Sequence, residues 1–184
     1  MAVERWMSWE GGVDLCAATR AGLAMPNVLI HVARVVHTPL GSAPAGMLLW
    51  QPDPQAAPAI AGFVCTDEKI GAYFGSAIFA GTPFEHLPVL KAKIEIHTNG
   101  GKSASSRVEV AGFVFETRLE NLGALEMIQR APLPTAPFHQ QGLEARSSGA
   151  SLKVNGKATE ILLPPMGPGG GPAALWAPAG IYAR

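Results

Sequence analysis

Five histidines, at positions 31, 37, 86, 97 and 139, are the side chains of this sequence best suited to moving a proton or holding a metal. They are scattered. None belongs to a His-x-His or His-Glu-x-x-His motif, and the two cysteines, Cys16 and Cys65, form no Cys-x-x-Cys. No metal centre is therefore written into a local motif. The nearest approach to a ligand pair is Glu95 with His97, which share a strand face about 6.6 Å apart along the chain. Lys91 and Lys93 share that face too, so it reads first as a solvated charged ladder, and a metal there needs a distant residue such as His31 or His139. His31 and His37 also share a face, but on the order of 20 Å apart along a continuous strand, too far for one ion.

Acid–base chemistry points to loops, where function concentrates on a rigid scaffold. The adjacent Glu85 and His86 and the loop residue His139 are the catalytic candidates, with His97 as a further one, each weighed against a plain surface turn. Nucleophilic catalysis lacks a Gly-x-Ser-x-Gly elbow. Cys65 stands just before a helix start, where a thiolate gains stability, yet reads more simply as a small buried residue. Gly169, Gly170 and Gly171 lack the Gly-Lys-Ser/Thr ending of a phosphate loop and read as a linker. Tyr73, Phe74 and Phe79 on a helix, and Phe113 and Phe115 on a strand, are the candidates for lining a small-molecule cavity, or else ordinary core.

The elements that must position these residues are mostly strands. Leu90, Ala92, Ile94 and Ile96 alternate with Lys91, Lys93, Glu95 and His97, the period of a strand with one wet face. Asn99-Gly100-Gly101 suits the positive φ of a hairpin turn, and a return strand runs from Ser106 to Leu119. Its phase breaks at Ala111-Gly112, which predicts a bulge or sharp bend. Residues 27–37, 47–50 and 59–65 read as further strands. Short strands follow at 143–147, 150–154 and 157–163, the last two joined by Asn155-Gly156. Thr66 reads as a helix N-cap ahead of Asp67 and Glu68, with the helix running to about Ala80. Ile70, Tyr73, Phe74, Ala77 and Ile78 form its apolar stripe, and Gly71 and Gly75 allow a close backbone approach. Residues 13–24 and 122–130 read as short helices. The expected fold is α+β: a mostly antiparallel, strongly bent sheet or β-barrel of seven to nine strands with two or three short helices.

At 184 residues the expected organisation is a single domain over residues 1–184. A Pro/Gly-rich linker at 164–174 leads to an apolar C-terminal tail containing Trp176, Ile181 and Tyr182. Charged residues are 15% of the chain, against roughly 25% in a typical soluble domain, with formal net charge zero. So neutral a chain has no cationic surplus for nucleic acid. Its scarce charge points to a homo-oligomer that hides surface between copies. No apolar run reaches the roughly 20 residues of a membrane helix. The first ten residues lack a secretory h-region, and two cysteines make no disulfide framework, which points to the cytoplasm. Three functions follow. The first is a module binding a small, largely apolar ligand as a homo-oligomer. The second is a metal- or acid/base-assisted hydrolase or isomerase using the histidines and Glu85. The third is a structural interaction protein without a pocket. No particular cofactor is indicated.

Overall fold

The architecture was analysed in a computed structural model that describes residues 5–167 and 169–184. Residues 1–4 of the N-terminal stretch, and Pro168 within the expected linker, lie outside the described residues. Eleven strands are present among those residues: β1 (Trp6–Ala17), β2 (Val28–Thr38), β3 (Gly41–Trp50), β4 (Ile60–Cys65), β5 (Val89–Asn99), β6 (Ser103–Val110), β7 (Phe113–Leu122), β8 (Glu126–Arg130), β9 (His139–Val154), β10 (Lys157–Thr159) and β11 (Ala174–Ala183). They hydrogen-bond in the order β10-β9-β11-β1-β2-β3-β4-β5-β6-β7. β9 is long enough to serve two neighbourhoods. Its first half pairs with β11 and β8, and its second half pairs with β7 and β10, so the path of pairings returns on itself.

All these pairings are antiparallel except β4 with β5, which run parallel from Phe63↔Val89 to Cys65↔Lys91. A parallel pair needs a crossover, and the helix α1 (Glu68–Tyr73) supplies it. Asp67, not the expected Thr66, caps α1, accepting hydrogen bonds from the Lys69 and Ile70 backbone N–H groups. The helix then widens into a π turn at Phe74–Ile78. It packs on β3, β4 and β5. Gly71 and Gly75 permit this: an added Cβ would lie 2.5 Å from Val89 Cγ1 and 2.4 Å from the Glu85 carbonyl oxygen, respectively.

Side chains fill both sides of the central strands. Leu15, Ile30, Leu48, Val64, Val108, Phe115, Leu119 and Leu152 form one core inside the bend. Trp9, Val36, Ala45, Phe63, Phe74, Ile78, Phe138 and Tyr182 form a second, between β1–β4 with β11 and the helix. Each fully buried Leu, Ile or Phe contributes about 1.5–3 kcal/mol relative to exposure.

The α+β expectation of two or three helices is corrected to one short helix on a largely antiparallel bent sheet. Residues 13–24 run through the end of β1, which is buried on both faces and so shows no alternation that would mark it as a strand. Residues 122–130 instead end β7 and form β8, after Asn121, which has φ +53° within β7. The phase break at Ala111-Gly112 is no bulge. Both residues have positive φ, 48° and 81°, and make a two-residue hairpin turn joining Val110 to its partner Phe113. The short strands expected at 143–147 and 150–154 are one strand, β9. The apolar tail is β11, seated between β1 and β9.

Candidate functional site

The bend itself assembles the site. β1 keeps one register with both β2 and β11, although Gly11, at φ +66°, is skipped in each pairing. β2 slips register against β3 between Ala33 and Val36, and β11 slips against β9 between Trp176 and Ala179. The two slips lie in the strands on either side of β1, and irregularities of this kind increase local twist. On β11, Leu175 pairs with Asp14, whereas Tyr182 pairs with Met7 at the far end of β1. In a flat sheet the Tyr182 side chain would be far from Asp14. Here its hydroxyl lies 3.5 Å from His31 Nε2.

His31 stands opposite Asp14 across β1 and β2, and its Nδ1 lies 2.6 Å from Asp14 Oδ1. Arg130, Gln140 and Tyr182 form one row across β8, β9 and β11. Arg130 grips Glu144 with both terminal nitrogens, each 2.6 Å from a carboxylate oxygen. Gln140 Nε2 donates to the same carboxylate at 3.2 Å. Glu144 is only 6% exposed, and a carboxylate so buried needs such partners.

These groups line a small cavity of about 80 Å³, together with Gly167, Gly169 and Gly171. A second, apolar depression is walled by Met47, Phe79, Phe84, Ala136 and Phe138. The two share Leu29, His31, Gly169 and Tyr182, so they adjoin in a cleft with acidic and basic side chains on one side and an aromatic wall on the other. Phe138 stacks on Tyr182 with ring centroids 3.9 Å apart, and Trp9 backs the same phenol at 4.6 Å.

The field in the cleft holds protons in place. Burial pushes the His31 proton off, but Asp14, by charge and hydrogen bond, and then Glu144 outweigh it, and the net pKa is raised. Burial pushes the Tyr182 phenol far up, with Asp14 and Glu144 adding to it, so the hydroxyl stays protonated. Burial and then Asp14 push the Cys16 thiol up to about 11, which makes it a poor nucleophile at neutral pH. The Glu144 hydrogen bond, first among several effects, raises Arg130 further. Chemically, the arrangement offers an imidazole whose Nδ1 is anchored and whose Nε2 faces the cleft beside a protonated phenol. Such a unit accepts, donates or relays a proton.

The residues singled out in the sequence lie mostly elsewhere. Glu85 accepts a hydrogen bond from the Gly81 backbone N–H at 2.6 Å, in the loop after the helix, and His86 next to it is exposed. His139 is exposed at the start of β9. Glu95 pairs with Lys93 at 2.6 Å and lines an outer depression with His97, Arg107 and Glu116. Tyr73 exchanges hydrogen bonds with the Trp6 backbone at 3.2 Å. Phe74 is sealed in the second core, and Phe113 stacks on Phe115 in the first. Phe79 lines the cleft. His31, weighed only as a distant metal partner, is at its centre. Asp14, Arg130, Gln140, Glu144 and Tyr182 were not singled out for chemistry. The one available signal is Asp14, an acid inside the otherwise apolar stretch of residues 11–17. Among the described residues, no group of three or more His, Cys, Asp or Glu is placed to hold a metal ion.

No family model matches the chain, and a search of curated proteins returns no match.

Proposed function

We propose that the chain binds a small, largely apolar organic molecule in this cleft, its body against Phe79, Phe84 and Phe138 and its polar end against His31 and Tyr182. The observation that carries this reading is the adjacency of the aromatic depression to the polar one, with Leu29, His31 and Tyr182 on the lining of both. Pockets of this kind, mostly apolar with a few convergent polar groups, are the usual form of small-molecule sites. The 2.6 Å Asp14–His31 contact favours a second reading, in which the same cleft carries out acid/base chemistry as a hydrolase or isomerase.

The neutral naphthalene ketone Prodan, whose fluorescence shifts to the blue in apolar surroundings, tests the first reading. We expect one saturable site per chain and a Kd at least tenfold higher in Phe84→Lys, which places a cation on the aromatic wall. Non-saturable fluorescence, or binding indifferent to the substitution, would overturn it.

The wider setting is a proposal as well. The circuit of strand pairings supports reading the bent sheet as a barrel, and the sparing use of charge supports a homo-oligomer. Exposed Leu125 and Met127, beside and on the edge strand β8, are the surface on which copies would meet. Both cysteines are buried free thiols, which suits a reducing compartment such as the cytoplasm. No helix of the described residues is long and apolar enough to cross a membrane.

A further inference from the structure

Two features of the polar end restrict what it can hold. The first is where its donors point. Asp14 fixes a proton on His31 Nδ1, leaving Nε2 toward the Tyr182 hydroxyl at 3.5 Å, a long contact for a hydrogen bond. Two donors at that separation can both reach a single acceptor atom about 2.8 Å from each. With the imidazole protonated, Nε2–H and the phenol O–H form a two-pronged notch for one oxygen. The second feature is that the cationic fork is taken. Both Arg130 terminal nitrogens are committed to Glu144, and Gln140 is committed to the same carboxylate. Arg130 offsets Glu144, and protonated His31 offsets Asp14. A carboxylate or phosphate entering the cleft would bring a negative charge that none of these groups is left to neutralise, beside the buried Glu144 carboxylate.

We propose, building on the ligand-binding reading above, that the polar end is a receptor for the oxygen of a neutral carbonyl group, a ketone, aldehyde or ester carried on an apolar body, and that it rejects anionic head groups. His31 and Tyr182 are its two donors. Asp14 positions His31, and Glu144 keeps Arg130 from serving as an anion site. The groups facing His31 are Asp14 and Cys16 from β1, Arg130 from β8, Glu144 from β9 and Tyr182 from β11; the side chain opposite on β3 is the uncharged Met47. Deprotonating His31 turns Nε2 into an acceptor that captures the phenol O–H, so the preference for a carbonyl fades as pH rises through the histidine's titration.

Three naphthalenes of similar size separate the possibilities: 2-acetonaphthone (ketone), 2-naphthoate (carboxylate) and 2-ethylnaphthalene (no polar head), titrated into the intact protein by NMR at pH 6 and pH 9. At pH 6 the ketone is expected to bind at least tenfold tighter than either of the others, and at pH 9 its lead over ethylnaphthalene falls to threefold or less. Tyr182→Phe, which keeps the ring stacked on Phe138, should also bring that lead to threefold or less. Should that variant fail to fold, the His31 Nε2 nitrogen resonance of the wild type gives a second readout, moving with the ketone and not with ethylnaphthalene. If all three bind alike, or the carboxylate binds tightest, the carbonyl assignment is overturned while the ligand-binding reading stands. If none binds, both are overturned.

Discussion

Two opposing influences act on the proton of His31, and their balance can be measured. Burial favours the neutral imidazole, whereas the Asp14 carboxylate 2.6 Å away and the charge of Glu144 favour the protonated one, and together they raise the pKa. In an NMR titration the His31 ring should show a pKa above the ordinary value of about 6.5. In Asp14→Asn, burial should prevail and the pKa should fall below the wild-type one. The sign of the stability effect follows from linkage. A histidine whose folded pKa is raised contributes stability that is fully present below its unfolded pKa and is lost as pH rises through the folded one. Wild type should therefore lose thermal stability over that window relative to Asp14→Asn, and equal slopes for the two proteins would contradict the ion pair. Little of this was legible in the sequence. Asp14 and Arg130 stand in stretches that read as short helices, 13–24 and 122–130, and nothing local announces that Asp14 pairs with His31 seventeen positions on or Arg130 with Glu144. The aromatic Phe79, by contrast, was marked by its helix context and does line the cleft.

At the scale of elements, the approach of β3 to β2 sets the position of His31. Gly46 faces Val32, and a Cβ added to it would sit 2.0 Å from the His31 carbonyl oxygen and 2.7 Å from Val32 Cα. Both obstacles are backbone and neither can swing aside. Gly46→Ala should cost about 3 kcal/mol, at the upper end of ordinary overpacking. It should also displace His31 from Asp14, visible as a lowered Tm in calorimetry together with a His31 titration shifted toward that of Asp14→Asn. A Tm within a degree of wild type would show that the strands have slack. Elements with a clean period were legible: β5 alternates Leu90, Ala92, Ile94, Ile96 against charged residues, and the Asn155-Gly156 turn stands where its residue types put it, with φ of 51° and 77°. Elements buried on both faces were not. β1 has eight of its twelve residues buried, six of them in the run 11–17 that only Asp14 breaks, so no alternation distinguishes it from a helix. Ala111 was misleading for another reason, since an alanine at positive φ is an uncommon turn former and the glycine after it invited the reading of a bulge.

For the whole molecule, β11 is the strand on which the sheet depends. It lies between β1 and β9, and it carries Tyr182 to the cleft and Leu175, Ala177 and Tyr182 to the second core. Removing residues 173–184 would leave two long unpaired edges and an open core. The shortened chain should show no cooperative thermal transition by circular dichroism, and a retained sharp transition would mean that the other strands fold without it. That the C-terminal residues would be apolar was legible from Leu175, Trp176, Ile181 and Tyr182. That they would form a central strand beside the first was not, because strand order is set by which faces can be covered together and leaves no trace in local composition.

This placement has a consequence in time. The backbone of Arg5 bonds to that of Arg184, so neighbours in the finished sheet are almost the whole chain apart. Contacts between residues so distant in sequence slow folding, because an entropic loop must close before they form. The side chains of the cleft come from positions 14, 31, 130, 140, 144 and 182, and they meet only when β11 has slotted beside β1. A molecule held by all of them recognises only the folded sheet, and by binding there it would draw the folding equilibrium of the entire sheet toward itself.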